Sequence, residues 1–169
     1  FLGLVGLGAA PNLNSLSSNF NKVNLGGNIY CIKDNDVISI EYSDGSKEWY
    51  KNGKLHRDGG LHAYEHPDRC YGSICKEWYK DGKRHRDGDF PAVIHSDDFK
   101  SWYKNGELHR DNGLPAHEWW GNKEWYVNGK RHREDGPAVE LTCKGEKHWF
   151  LNGKLTKSFS ENGIYDFWF

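Results

Sequence analysis

No stretch of the sequence sustains an apolar period of 3.6 residues, which excludes any helix longer than about two turns as an organising element. Aliphatic bulk is scarce as well: only 36% of the 169 residues are hydrophobic and none is Met. That is thin for a compact globule of this size. Aromatic residues at 15% and 20 Gly instead suit a flat or elongated β structure in which rings do most of the packing. An excess of charge is missing too. A formal balance of -1, with the two signs closely alternating, gives no electrostatic case for nucleic acid or an anionic membrane as the main partner.

The four cysteines, Cys31, Cys70, Cys75 and Cys143, contain no CxxC pair and no zinc-ribbon spacing, so no metal or other cofactor is expected. Cys70 and Cys75 bracket four residues and could close a loop disulfide; the reading adopted is four reduced thiols from a reducing compartment. Long hydrophobic runs are absent. The nearest approach, FLGLVGLGAAP at residues 1–11, falls short of the roughly 20 residues a membrane helix needs. It lacks the basic flank of a secretory signal, and its first residue is Phe rather than Met, as in a processed chain or a piece of a longer one. It reads as a flexible terminus, as an arm that gains order on a partner, or, not favoured, as a membrane-inserting peptide.

What is present is repetition. His56-Arg57-Asp58 is the triplet that opens a protein-kinase catalytic loop, but it recurs as His85-Arg86-Asp87 and His109-Arg110-Asp111, and nearly so as His132-Arg133-Glu134. Identical tandem copies mark a structural unit rather than a catalytic constellation. Aromatic pairs recur with it: Trp49-Tyr50, Trp78-Tyr79, Trp102-Tyr103, Trp125-Tyr126 and Trp149-Phe150, with Trp-to-Trp spacings of 29, 24, 23 and 24. A turn dipeptide follows each pair: Asn52-Gly53, Asp81-Gly82, Asn105-Gly106, Asn128-Gly129 and Asn152-Gly153. Asn-Gly and Asp-Gly favour two-residue type I′ hairpins, in which both central residues take positive φ.

That turn predicts Tyr50 opposite Leu55, Trp49 opposite His56, Glu48 opposite Arg57 and Lys47 opposite Asp58. The same count gives Glu77 with Arg86, Lys76 with Asp87, Lys100 with Asp111, Glu124 with Arg133 and Lys123 with Glu134. Opposed unlike charges contribute roughly 0.2–1 kcal/mol each, and a one-residue slip would lose them all. In this register the members of a triplet face different partners and do not converge, and the histidines stand too far apart to share a metal. Trp and His share the packed face, so the expected repeat core is Trp49, His56, Trp78, His85, Trp102, His109, Trp125, His132 and Trp149. On the wetter face Tyr meets Leu55, Arg84, Leu108 or Arg131, with arginine stems over tyrosine rings.

Extended stretches at 61–65, 91–95, 115–118 and 137–141 lead through second turns to the next Trp-Tyr strand. The fold expected is therefore all-β: a tandem array of antiparallel β-hairpins forming a single-layer, elongated meander. Its parts are an N-terminal arm (1–22), a degenerate capping hairpin (23–46), the repeats (47–156) and an aromatic C-terminal cap or tail (157–169).

The unit from WYKNGKLHRDGG to PAV resembles the MORN family of hairpin repeats over about residues 41–156. The full form W-Y-x-N-G-K-x-H-R-x-D-G-P-A-V, approached most closely by Trp125 to Val139, is similar to arrays carried by large double-stranded DNA viruses of amoebae, with related arrays in bacteria and phages. Trp-Tyr stands here for the family's usual Tyr-x-Gly opening and His-Arg for His-Gly, so the lipid binding of some members does not carry over. The resemblance implies a non-catalytic scaffold for protein contacts. The expected role is a structural protein, a minor capsid-associated component of a virion made in host cytoplasm, with other protein subunits as partners. The alternative is a membrane-associated adaptor inserted through residues 1–11. Catalytic residues are expected to be none, and the docking candidates are Phe1, Leu2, Leu4, Val5, Leu7, Phe167, Trp168 and Phe169.

Overall fold

A computed structural model describes residues 20–70, 73–96, 98–160 and 163–166. Three strands open the chain: β1 (Asn21–Leu25), β2 (Asn28–Lys33) and β3 (Asp36–Glu41). Four units follow. The first comprises β4 (Lys47–Lys51), β5 (Lys54–Leu55), β6 (Tyr64–Cys70) and β7 (Ser73–Glu77), and the second β8 (Tyr79–Lys80), β9 (Lys83–Arg84), β10 (Val93–Ser96) and β11 (Phe99–Ser101). The third holds β12 (Tyr103–Lys104), β13 (Glu107–Leu108), β14 (His117–Trp119) and β15 (Asn122–Glu124), and the fourth β16 (Tyr126–Val127), β17 (Lys130–Arg131) and β18 (Val139–Leu141). A 3-10 turn (Thr142–Lys144) leads to β19 (Glu146–Leu151), β20 (Lys154–Ser160) and β21 (Gly163–Asp166).

All pairings among the described residues are antiparallel, and the main sheet runs β1-β2-β3-β4-β6-β7-β10-β11-β14-β15-β18-β19-β20-β21, with β5 beside β4. The all-β hairpin meander expected from the repeats is thus what the chain forms. The turn chemistry holds at each tip: Asn52, Asp81, Asn105, Asn128 and Asn152 have φ of 48–54°, and the glycine after each has φ of 69–92°. Tyr50, Tyr79, Tyr103 and Tyr126 lie opposite Leu55, Arg84, Leu108 and Arg131 as expected.

Beyond His the expected register stops. The seven charge pairs do not form, because a strand has only two edges and both are taken. Glu48 lies between Ile40 of β3 and Tyr64 of β6, and Lys47 between Glu41 and Glu65. Glu77 is likewise flanked by Tyr64 and Val93. Arg57 and Asp58 therefore leave the ladder, and each repeat divides into a short hairpin at the tip and a return strand in the main sheet. The tips form their own row, β8-β9, β12-β13 and β16-β17 being separate two-stranded sheets. The last unit instead continues straight from hairpin to sheet, with a bulge between Trp149 and Phe150 and Trp149 opposite Lys157.

The core lies where tip row and sheet meet. Trp78, Trp102 and Trp125 are buried there, together with Ala63, Ala92, Ala116 and Ala138, each of which is fully covered. The amide of each Trp from Trp49 to Trp125 donates to the carbonyl of the Ala on the next return strand, at 2.8–2.9 Å. Cysteine chemistry corrects another expectation: Cys75 is disulfide-bonded, whereas Cys31 and Cys143 are free thiols, so the fully reduced reading fails.

Candidate functional site

The triplets form one row along the array, and each member has a separate structural task. His closes the joint to the following repeat. Its amide donates to the Trp carbonyl across the tip hairpin, and its Nδ1 accepts the backbone N–H of the next turn: Asp81 on His56 (3.1 Å), Asn105 on His85 (3.0 Å), Asn128 on His109 (3.1 Å) and Asn152 on His132 (3.1 Å). The glycine of the same turn donates to the carbonyl of Leu55, Arg84, Leu108 or Arg131, each at 2.9 Å. Two bonds per junction thus fasten each hairpin tip to its predecessor. A backbone N–H can only donate, so Nδ1 is the acceptor and the neutral ring carries its proton on Nε2. His56 differs in having the Asp81 carboxylate 3.2 Å from Nδ1 as well.

Nε2 then donates to the triplet's own carboxylate: His56 to Asp58 at 3.0 Å, His85 to Asp87 at 2.9 Å and His109 to Asp111 at 2.8 Å. The expectation that triplet members do not converge is therefore overturned for His and Asp, which can meet because the chain after His is no longer a strand. The same carboxylates accept from Lys51 (2.9 Å), Lys80 (3.4 Å) and Lys104 (3.5 Å). Hydrogen bonds from Lys51 and then His56 hold Asp58 below the usual carboxylate range. Those from His85 and His109, reinforced by Lys80 and Lys104, do the same for Asp87 and Asp111.

Arginine covers the indole. The guanidiniums of Arg57, Arg86, Arg110 and Arg133 sit 3.8, 3.7, 3.8 and 4.0 Å from the ring centres of Trp49, Trp78, Trp102 and Trp125. From there each Nη1 donates to a carbonyl of the return loop, those of His62, Pro91, Pro115 and Pro137. In the last unit Lys157, 5.2 Å above Trp149, takes the place of arginine.

Grooves of about 440, 320 and 460 Å³ lie between successive triplets. Both imidazole nitrogens of His56, His85 and His109 are engaged in hydrogen bonds, whereas Nε2 of His132 stands 3.7 Å from Glu134, beyond hydrogen-bond reach. No group of three or more His, Cys, Asp or Glu among the described residues is arranged to hold a metal ion, and no described helix is long and apolar enough to cross a membrane.

A second row, missed from the sequence, lies one residue before each Trp. Glu77 is buried and accepts from Tyr79 Oη (2.8 Å) and Arg84 Nε (2.9 Å), with His95 Nε2 at 3.5 Å. Burial opposes its ionisation, but the bonds from His95, Arg84 and Tyr79 prevail and hold its carboxyl at about 2. Burial and the same carboxylate push the Tyr79 hydroxyl up to about 12. Glu124 repeats the arrangement with Tyr126 (2.6 Å) and Arg131 (2.9 Å). Before Trp102, Ser101 occupies this position and pairs with His117 Nδ1 at 2.7 Å. The readable signal was the seven-residue interval Glu77–Arg84 and Glu124–Arg131, which sets one residue on either side of the tip turn.

Burial pushes His62 and His117 below their ordinary 6.5. Their neutral forms are favoured by folding, so the stability they contribute is present above 6.5 and is lost as the pH falls below it. Asp58, Asp87 and Asp111, held below their ordinary 3.8, add a second loss as the pH falls through and beneath that value. The expected result is a melting temperature that declines in two stages on acidification; a melting temperature that rises below pH 6.5 would contradict this assignment.

Of the expected core residues, Trp78, Trp102 and Trp125 are buried, whereas Trp49, Trp149, His56, His85, His109 and His132 are only partly covered. The docking candidates Phe1, Leu2, Leu4, Val5, Leu7, Phe167, Trp168 and Phe169 lie outside the described residues. No family model, no curated protein and no solved structure matches the chain.

Proposed function

We propose that the chain is a non-catalytic interaction scaffold, in which the repeat array is a rigid spacer and the terminal segments dock on other protein subunits. The observation that carries this reading is the internal use of the three full triplets: His is spent on the next turn, Asp on His and Lys, and Arg on Trp and the return loop. Residues consumed in this way serve the array's length and stiffness, leaving recognition to groups outside the row. The resemblance of the units to MORN-like arrays of large DNA viruses of amoebae gives the reading its setting, a minor capsid-associated component of a virion whose partners are capsid or other virion proteins.

Incorporation into the parent particle tests it. Residues 1–19 are deleted, leaving Phe20 on Lys33, and separately the exposed Lys51, Lys80 and Lys104 are changed to Gln. The deletion is expected to abolish co-sedimentation with particles and the lysine variant to retain it. The opposite pattern would move the binding surface to the array. Flotation of the full chain with liposomes, lost on the same deletion, would replace this reading with a membrane adaptor.

A further inference from the structure

Two columns of the repeat hold an acid and a base that come and go together. With the repeats counted here by their Trp, from Trp49 as the first to Trp149 as the fifth, Glu48, Glu77, Ser101, Glu124 and His148 stand before it; seven residues on stand Leu55, Arg84, Leu108, Arg131 and Leu155. The second and fourth units have both members and pair them at 2.9 Å. The third and fifth have neither. Only the first unit keeps the acid, Glu48, without its arginine.

In the paired units the guanidinium occupies a built slot. Arg84 lies 6.0 Å from the ring of its own Tyr79 and 5.5 Å from Tyr103 of the next unit; Arg131 lies 5.9 Å from Tyr126 and 5.4 Å from Phe150. The corresponding slot in the first unit is lined by Glu48, Leu55 and Tyr79, and the Tyr50 hydroxyl is bonded to Glu48. Glu48 Oε2 accepts from Tyr42 Oη (2.6 Å) and from Tyr50 Oη, and among the described residues no cation reaches it. A groove of about 510 Å³ opens there, lined by Glu48, Leu55, Tyr64, Glu77, Tyr79 and Arg84 among others. Glu77 and Arg84 neutralise each other, so one carboxylate charge is left over.

We propose that this groove is a binding site for a guanidinium, an arginine side chain of a partner protein, received by Glu48 beside the Tyr79 ring. The chain holds two worked examples of the same recognition, carboxylate plus tyrosine hydroxyl plus two rings, each filled in cis. A planar guanidinium suits it better than an ammonium, because it stacks on rings while donating in its own plane. Its use in assembly rests on the scaffold reading above; the capture of a guanidinium by Glu48 does not.

The test is a nuclear magnetic resonance titration of the full chain with acetyl-arginine amide, set against the citrulline and lysine analogues. Saturable shifts are expected at Glu48, Tyr50 and Tyr79 with arginine, and a loss of affinity on the order of tenfold or more in Glu48→Gln. Leu55→Arg is expected to fill the slot in cis, abolishing the titration and raising the melting temperature. Citrulline binding as well as arginine, or undiminished binding by Leu55→Arg, would overturn the proposal. If arginine gives no saturable shift and Leu55→Arg does not raise the melting temperature, Tyr42 has simply replaced the missing arginine as Glu48's second donor and no ligand site exists. No particle enters this titration, so its failure leaves the scaffold reading standing and the converse also holds.

Discussion

Truncating Trp102 to alanine is expected to cost ~3–5 kcal/mol, the range for a buried ring, whereas Lys104→Ala, at the exposed end of the strand, is expected to cost under about 0.5. Trp102 is only 7% exposed and lies beneath the Arg110 guanidinium at 3.8 Å, so its loss removes a ring, a cation–π contact and part of the wall between tip row and sheet. Equal effects in denaturant titrations would mean that the packed face is misassigned. A finer expectation separates Trp102 from its sister rings. Trp78 and Trp125 donate Nε1–H to the Gly60 and Gly113 carbonyls at 2.8 Å, but the buried Trp102 Nε1 has no partner among the described residues. The cause is local: Asp89 stands where the other loops have Gly60 (φ 70°) and Gly113 (φ 67°), and it does not take positive φ. Phe is therefore expected to be tolerated better at 102 than at 125 by about 1 kcal/mol, since only Trp125 has a bond to lose.

Ala116→Leu is the second large effect. The residue is fully covered, its N–H donates to the Glu124 carbonyl and its carbonyl accepts from the Trp102 amide, both at 2.8 Å. With the backbone pinned on both sides, the Cβ cannot retreat, and added methylenes must displace the groups that cover it. Such overpacking typically costs about 1–3 kcal/mol. Leu114→Ala in the same loop, at a position 39% exposed, is the control and is expected to be near neutral. Undiminished stability in the Ala116→Leu variant would mean that the four alanines are incidental.

Much of the fold is legible because turn chemistry is local. Asn105-Gly106 demands positive φ at two consecutive residues, and this alone fixes Tyr103 opposite Leu108. The departure at Arg57 is not local. Whether Glu48 meets Arg57 or Tyr64 is a competition between a near segment and a later one, decided by a buried Ala63, a Gly59-Gly60 loop and an edge already used by Ile40. Charge complementarity pointed to the near partner, and the gain per pair is too small to win that competition. The His–Asp bonds were hidden for the same reason: side chains two residues apart on a strand share a face but stand roughly 6–7 Å apart along it, whereas a non-strand turn lets them meet. The Glu77–Arg84 pairing was visible in the repeat columns, but a register extended through Arg86 assigned Glu77 to the wrong arginine. The Cys75 bridge had no signal beyond proximity in sequence.

The histidines act as joints between repeats rather than as reagents, and imidazole nitrogen shifts of the labelled protein at mildly alkaline pH test this most directly. His85, His109 and His132 are predicted to hold the Nε2–H tautomer, each Nδ1 bearing a resolvable hydrogen-bond coupling to the amide of Asn105, Asn128 or Asn152. Nδ1–H tautomers, or the averaged shifts of freely exchanging rings with no coupling to those amides, would contradict it.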